Sequence, residues 1–336
     1  MHSQSNVIPE TVRNEEPAWL RAAKPGFYIS IVLCAVLATL AYKLRIEGIF
    51  ACPADGYFSN KYLADCLASG YGDYDHGAFW FGLEPEAQRS AAGAEVLFVG
   101  SSRMELAFSG ATTAKWFAAL AVRYYLLGFS ATENTVFAAP LLSRIKPQAK
   151  VYVINVDRFF DDRKSPPTEQ ILSKSDMRKR YEEKQSWQFL HKALCTTLAA
   201  ICGNRTAIFR SRETGVWERR GTSMFQAAGV ADGPASNVDR WEQYAILGER
   251  FLAQLPVDRH CVLLTIVPSS ETRRAEAIAI AKALGLDLVA PQLDGLRTFD
   301  GSHLDPPSAE RWAEAFFQAA GPQIRRCLGD ARALSQ

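Results

Sequence analysis

The sequence predicts an α/β protein, in which a doubly wound parallel sheet follows one N-terminal membrane-spanning helix. Two observations lead to this prediction. Short apolar runs alternate with helical stretches from Glu95 onward, and an uncharged apolar segment precedes them near the N-terminus. Parallel strands need long crossover connections, and the helical stretches between the apolar runs would supply them.

The composition is that of an ordinary folded protein. The 336 residues are 48% hydrophobic and 22% charged, which is typical of a globular chain of one large or two small domains. The formal net charge is only +2, without a basic stripe of the kind that neutralises phosphates. We therefore expect no nucleic-acid partner.

The segment 27–44 predicts a transmembrane anchor, preceded by a polar tail over 1–26. Phe27 to Tyr42 contains no charge, glycine or proline. A helix over this segment would be roughly 27 Å long at ~1.5 Å per residue, close to the ~30 Å hydrocarbon core, with Lys43 reaching the interface. A buried core helix and a cleaved signal peptide are the alternatives. Because a long tail precedes the run and no convincing cleavage site follows it, we expect an uncleaved anchor.

The cysteines, rather than the flanking charges, indicate the compartment of the main domain. Basic residues lie on both sides of the anchor and leave its orientation open. Of seven cysteines, Cys34 lies in the span and six lie outside it, an even number that suits an oxidising compartment. We expect a disulfide between Cys52 and Cys66. Cys195 and Cys202 lie on one predicted helix, about 10.5 Å apart along its axis, too far for a disulfide unless the helix breaks.

Residues 45–93 are rich in glycine and aromatic side chains and predict a linker or a small subdomain. Aromatic clusters pack against a domain or a membrane interface more often than they stack on sugars, so we expect packing here. The aromatic residues concerned are Tyr57, Tyr62, Tyr71, Tyr74, Phe79, Trp80 and Phe81.

The domain that follows, 94–328, is predicted to alternate strands with helices. Apolar runs at 96–99, 124–127, 151–154, 261–267 and 286–290 predict five strands. Helices are predicted over 111–121, 132–145, 241–255 and 270–284, with a last helix from Pro306. An insertion over 157–239, with a helical stretch at 187–201, interrupts this pattern after the third strand.

Polar side chains that can do chemistry stand at the end of the first strand and before the last helix. In an open parallel sheet, ligands bind beyond the carboxyl ends of the strands. Ser101 and Ser102 follow the first strand, where a turn or a helix cap is the simpler explanation of a serine. His303 follows Asp300 by three residues. An aspartate at that spacing can orient the imidazole while its other nitrogen addresses a serine.

Together these blocks resemble the SGNH (GDSL-like) hydrolase superfamily over about residues 94–325. The resemblance rests on Gly-Ser-Ser at 100–102, on Gly128 after the second strand, and on Asp-Gly-Ser-His-Leu at 300–304. It implies a flavodoxin-like SGNH fold and acyl-transfer chemistry at a serine.

The resemblance also implies a role for each matching residue. Ser102 would be the nucleophile, His303 the base and Asp300 the acid that orients it. The backbone N–H groups of Ser102 and Gly128 would hold the oxyanion.

The third block of the family is where this sequence departs from the pattern. Instead of Gly-x-Asn-Asp, the chain reads Ile-Asn-Val-Asp at 154–157, so Asn155 and Asp157 are candidates at a different spacing. Loss of one oxyanion donor typically costs ~10²–10³ in rate, which would leave a slower or differently specialised enzyme. Arg103 could neutralise an anionic substrate or tie down the turn, and we expect the second role.

The Gly-Ser-Ser-Arg variant, combined with a single N-terminal anchor, is similar to one membrane-anchored branch of the superfamily. Its members act with membrane-bound O-acyltransferases on bacterial cell-surface polymers. The resemblance implies a single-pass protein of the bacterial inner membrane with a periplasmic O-acyltransferase or esterase domain acting on an extracellular polysaccharide, with no metal or organic cofactor. A polysaccharide deacetylase that only hydrolyses and a non-catalytic membrane-tethered scaffold are the alternatives.

Overall fold

The computed structural model describes residues 25–58, 60–67, 69–131, 133–222, 227–231 and 240–329. Residues 1–24 of the predicted tail therefore lie outside the described residues. Parts of the predicted insertion do so as well. The strands are β1 (Lys61–Cys66), β2 (Gly72–Asp73), β3 (Val96–Ser101), β4 (Tyr124–Phe129), β5 (Val151–Asn155), β6 (Ala207–Ser211), β7 (Trp217–Arg220), β8 (Ala228–Gly229), β9 (Val262–Thr265), β10 (Asp287–Leu288) and β11 (Arg297–Thr298). The helices are α1 (Pro25–Ile46), α2 (Asp75–Phe81), α3 (Pro85–Ala92), α4 (Ser102–Phe108), α5 (Ala111–Leu120), α6 (Thr135–Ile145), α7 (Pro166–Ser173), α8 (Met177–Thr197), α9 (Trp241–Leu252), α10 (Arg274–Leu284) and α11 (Pro306–Leu328).

A five-stranded sheet in the order β10-β9-β5-β3-β4 forms the core, and all of its neighbouring strands are parallel. Counted along the chain, this is the doubly wound order 2-1-3-4-5, whose switch point lies between the first and third strands. Helices α6, α9 and α10 cover one face, and α4, α5 and α11 cover the other. The prediction of a parallel α/β sheet is confirmed, and each predicted strand overlaps a strand of this sheet.

Helix α1 contains the predicted anchor. It is 22 residues long, its mean hydropathy reaches 2.0, and none of its residues is buried against the rest of the protein. The alternative of a buried core helix is therefore wrong. A membrane span and a signal sequence share these properties.

Residues 45–93 and the predicted insertion build a second layer together. Strands β2, β1, β6 and β7 form one antiparallel sheet, with Tyr62 of β1 opposite Arg210 of β6. We call this the accessory sheet. Among the aromatic residues of 45–93, Tyr62, Tyr74 and Phe79 are fully buried, in accord with a packing role.

Three disulfides crosslink the domain, and Cys34 in α1 is free. The predicted pair Cys52–Cys66 is bonded. The expectation for Cys195 and Cys202 is wrong, because α8 ends at Thr197 and a 3₁₀ turn over Ala199–Ile201 brings the two Cα atoms within 5.9 Å. The third disulfide joins Cys261 to Cys327 at the start of β9 and the end of α11.

A buried guanidinium joins the accessory sheet to the parallel sheet. Arg210 is fully buried and forms ion pairs with Asp75 of α2 and Glu105 of α4. The guanidinium also donates to the carbonyls of Leu126 and Gly128 in β4, at 3.0 and 2.7 Å. Burial raises the pKa of Glu105 to about 8, although Arg210 pulls it in the opposite direction. The cation therefore compensates two buried carboxyl groups at once.

Replacing Arg210 should destabilise the fold strongly, because both carboxyl groups would lose their partner in a buried site. We expect Arg210→Met to lower the free energy of unfolding by about 3–5 kcal/mol. Arg178→Met is the matched control, because its ion pair with Glu182 is exposed, and it should change stability by less than about 1 kcal/mol. Denaturant unfolding with the disulfides intact measures both, and equal losses would contradict the role of Arg210.

A second buried ionic cluster surrounds His76 of α2. Its Nδ1 lies 2.8 Å from Asp73 and its Nε2 2.9 Å from Glu133, and the ring is fully buried. Burial opposes the charged imidazolium, but the two carboxylates outweigh it and raise the pKa of His76 to about 10. The hydroxyls of Ser165 and Thr168 also donate to Glu133. The cluster thus ties β2 and α2 to the chain before α6 and to α7.

The raised pKa of His76 predicts a pH-dependent contribution to stability. A histidine whose folded pKa lies above its unfolded value stabilises fully below about pH 6.5 and loses that contribution as pH rises toward about 10. We expect the stability of the wild type to exceed that of His76→Asn most at the lower end of this range and least at the upper end. Unfolding both proteins across the range measures the difference, and a constant or growing difference would refute the charged cluster.

Candidate active site

Ser102 stands where β3, an inner strand of the sheet, ends. Strand β3 runs to Ser101 and α4 begins at Ser102 itself. Since β3 lies between β4 and β5, this point is at the switch in strand order, where open α/β sheets bind ligands. The Ser102 hydroxyl is part-buried, whereas Ser101 is buried.

The loop between β11 and α11 forms a compact turn around the carboxylate of Asp300. Its Oδ1 accepts hydrogen bonds from the backbone N–H groups of Ser302 and His303, at 2.9 and 2.8 Å. Its Oδ2 lies 2.7 Å from Nδ1 of His303. Partial burial raises the pKa of Asp300, but the hydrogen bonds from His303 outweigh it and hold the pKa below its usual value. An ionised Asp300 thereby fixes the ring orientation of His303.

The structure brings the serine, the histidine and the aspartate together. Nε2 of His303 lies 2.8 Å from Oγ of Ser102, although the two residues are 201 positions apart in the chain. Hydrogen bonds therefore join Ser102 to His303 and His303 to Asp300. In this arrangement a base touches the hydroxyl and an acid orients the base, which is the geometry that activates a serine.

Arg103 links the start of α4, which carries Ser102, to the loop that carries Asp300 and His303. Its Nε donates to Oγ of Ser302 at 2.9 Å, and its Nη1 forms an ion pair with Asp157. The side chain therefore links the turn after β3 to the loop of Asp300 and to the end of β5. This agrees with the expected structural role of Arg103. Asp157, predicted as a possible third-block residue, serves as the partner of this arginine.

The structure does not support the predicted role of Gly128. Its backbone N–H donates to Oε1 of Glu105 at 2.7 Å, inside the buried cluster around Arg210. Glu105 lies nearly one turn after Ser102 on α4 and, being fully buried, needs donors for its carboxylate. The N–H group that the resemblance assigned to the oxyanion is therefore engaged within the protein.

Asn155 has a buried amide donor beside the strand that leads to Ser102. It ends β5 next to Gly100 of β3, so closely that a Cβ added to Gly100 would come 3.0 Å from Cβ of Asn155. Its Oδ1 accepts from the backbone N–H of Val267 at 3.2 Å. Its Nδ2 is buried and has no hydrogen-bond partner. A buried amide with a free donor is a costly group that a ligand oxygen could satisfy.

Sequence reasoning missed an aromatic stack behind the histidine. The ring of Phe299 stacks on the ring of His303 at 5.6 Å, with 14° between their planes. The guanidinium of Arg219, from β7 of the accessory sheet, lies 4.0 Å over the ring of Phe299. Phe299 directly precedes Asp300 and could have been noticed. Nothing in the sequence places Arg219 near this loop.

Within the part of the chain that the structure describes, two groups of histidine and cysteine side chains lie close enough together to be considered as metal sites. They are His191 with Cys195 and Cys202, and His260 with Cys261 and Cys327. In each group the two cysteines form a disulfide. Zinc is held by thiolates, which a disulfide removes, so these residues do not fit a metal.

Comparisons with family models, with curated proteins and with solved structures find no match to this chain.

Proposed function

We propose that this protein is a serine acyltransferase or esterase of the SGNH type, anchored in a membrane and acting on acyl groups of an extracellular polysaccharide. One observation carries the chemistry. The Ser102 hydroxyl, the His303 imidazole and the Asp300 carboxylate form one hydrogen-bonded chain with distances of 2.8 and 2.7 Å. This chain lies at the carboxyl edge of a parallel sheet, where such folds bind their ligands.

The reaction begins with attack of Ser102 Oγ on the carbonyl carbon of an acyl ester. Nε2 of His303 takes the hydroxyl proton, and Asp300 stabilises the imidazolium that forms. The tetrahedral intermediate collapses as the ester C–O bond breaks and His303 returns the proton to the leaving alkoxide. An acyl-Ser102 ester remains. A sugar hydroxyl or a water then attacks it, with His303 again acting first as base and then as acid.

Asn155 is the side chain best suited to stabilise the oxyanion, together with the backbone N–H of Ser102. Its buried Nδ2 lacks a partner and its Oδ1 is held by Val267, so the amide is oriented before substrate arrives. Such a donor contributes most when it is held in place in advance, away from water. Asn155 would donate to the oxyanion in place of Gly128, because the N–H of Gly128 is bonded to Glu105.

Three features support an extracytoplasmic location. Helix α1 is long and apolar enough to span a bilayer. Three disulfides outside it favour an oxidising compartment. The resemblance to anchored relatives adds the bacterial inner membrane, the periplasm, the polysaccharide substrate and a membrane-bound O-acyltransferase as partner.

The nucleophile is tested by acetyl release from an activated aryl ester. We expect Ser102→Ala to lower kcat by a factor of ~10⁶ and Asp300→Asn to lower it by a factor of ~10⁴. Mass spectrometry of the quenched wild type should find an acetyl group on the peptide that contains Ser102. Adding an oligosaccharide acceptor separates the two outcomes, since acetylated sugar indicates transfer and free acetate alone indicates hydrolysis.

Ser101→Ala is the matched control for this experiment. Ser101 is the neighbouring serine, but it is buried at the end of β3. Its replacement should leave most of the activity intact. Full turnover by a folded Ser102→Ala protein would reject Ser102 as the nucleophile, whereas no turnover by the folded wild type above the uncatalysed rate would favour a non-catalytic scaffold.

Replacement of Asn155 tests the oxyanion donor separately. We expect Asn155→Ala to lower kcat by ~10²–10³ with little change in KM, because the donor acts on charge that develops only in the transition state. The unfolding midpoint of the variant must be measured alongside, because the lost bond to Val267 also affects stability. A change in KM alone, or no change in either constant, would contradict the role of Asn155 as an oxyanion donor.

A further inference from the structure

The second half of α8 presents a stripe of apolar side chains to solvent. Trp187, Leu190 and Leu198 are 49%, 43% and 55% exposed, and Leu194 between them is partly buried. Spacings of three and four residues place Trp187, Leu190 and Leu194 on one side of α8, and Leu198 follows directly after the last helical residue. Among the eight exposed large apolar side chains that the structure describes outside α1, three belong to this stripe. A cluster of this kind marks a contact surface, whereas single exposed side chains do not.

This stripe begins at the base of the anchor. Trp187 lines a groove of about 700 Å³ whose opposite wall is formed by Leu40, Lys43 and Leu44 of α1. Its ring also lies edge-on to Phe50, just after the anchor. The first member of the stripe is thus next to the last turns of the helix that would leave the bilayer.

The turn after α8 is hydrogen-bonded to the C-terminal end of α1 and to the residues that follow it. The Arg45 guanidinium donates to the carbonyl of Ala200 at 2.9 Å, and the N–H of Gly203 donates to the carbonyl of Phe50 at 2.7 Å. The disulfide Cys195–Cys202 closes the turn that carries these contacts. Both ends of the stripe are therefore held at the level where α1 ends.

We propose that the Trp187–Leu198 face of α8 rests on the lipid bilayer beside the anchor. The argument rests on the proposed membrane span of α1, because continuity with that span identifies lipid as the occupant. Trp and Leu side chains next to a membrane exit are suited to the interface, where apolar surface leaves water and the indole N–H stays near the headgroups. Two points of contact, α1 and α8, would fix the tilt of the domain on the membrane.

The charges of the groove agree with an anionic lipid surface. Lys43, Arg180 and Lys184 line it together with Glu47 and Glu183. The ammonium of Lys184 is already held by the carbonyl of Asp73, at 2.5 Å. Arg180 is exposed but forms an ion pair with Asp176 at 2.9 Å, so exposed Lys43 is the cation of this lining that negatively charged headgroups would attract.

Fluorescence quenching in vesicles of phosphatidylethanolamine and phosphatidylglycerol tests the proposal on the full chain. In a Cys34→Ser background, a polarity-sensitive fluorophore is attached to Leu190→Cys, to Leu198→Cys or to Phe189→Cys. Phe189 is the matched control, since it is 73% exposed on another side of the same helix. We expect iodide to quench the probes at 190 and 198 several-fold less than the probe at 189. A lipid spin label near the headgroups should quench them several-fold more.

Two further measurements separate the possible failures. A fluorophore on the native Cys34 reports the anchor, and deep lipid spin labels should quench it; if they do not, the membrane span itself is wrong. The second measurement needs no introduced cysteine. Trp187→Phe should reduce the quenching of tryptophan fluorescence by brominated lipids, whereas Trp241→Phe should not.

The proposal is overturned if Cys34 is deep in the bilayer while positions 190 and 198 are as accessible to iodide as 189. It is also overturned if those positions are exposed in pure lipid and become protected only in native membranes. That second result would identify a partner protein, rather than lipid, as the occupant of the stripe.

Discussion

The buried guanidinium of Arg210 links the accessory sheet to the strand edge on which the candidate site stands. It binds Asp75 on one side and Glu105 on the other, and it holds two carbonyls of β4. Glu105 belongs to α4, the helix that begins at Ser102. The position of the serine is therefore coupled to the accessory sheet through one ion pair. A buried pair of this kind contributes little net stability by itself, but it penalises every arrangement that separates its partners.

This cluster also explains how the site differs from the family pattern. Glu105 takes the N–H of Gly128 because a buried carboxylate needs donors, and that N–H is then unavailable to a substrate. The free amide of Asn155 lies on the other side of β3, at the end of β5. An oxyanion can be stabilised by a side-chain donor in place of a backbone N–H group, and the reaction is then unchanged. In the proposed mechanism, Asn155 therefore supplies the donor that the engaged N–H of Gly128 does not.

Local patterns in the sequence predict the parallel sheet, and the family resemblance implies the three central site residues, but contacts between distant segments escape both. Short apolar runs mark β3, β4 and β5 because strands buried on both faces contain few polar residues. Asp300 and His303 are visible since they lie three residues apart. By contrast, the pairing of β1 with β6 joins residues about 150 positions apart. Arg210 and Glu105 each lie within two residues of another charged side chain in the sequence, and only the fold shows that they meet.

The boundary of α8 illustrates a different limit of prediction. The stretch over 187–201 reads as one helix, because no glycine or proline interrupts it before Gly203. The structure ends α8 at Thr197 and closes the disulfide Cys195–Cys202 across the following turn. Tertiary contacts decide this helix end, since the turn is held by Arg45 and by the chain after the anchor. Propensity alone is a weak guide where such contacts compete with it.

The way in which the chain leaves the anchor bears on how a tethered enzyme would work. A flexible tether would let the domain sample a large volume, and the effective concentration of the site near a membrane partner would fall with tether length. Here the residues just after α1 are crosslinked by Cys52–Cys66 and bonded to the turn after α8. This connection leaves little freedom between the anchor and the domain. If α1 spans a bilayer as proposed, a domain with little freedom beside its anchor suits an exchange of acyl groups with a membrane-embedded donor better than it suits capture of polymers far from the surface. The stiffness of this junction therefore favours acyl transfer at the membrane over hydrolysis at a distance.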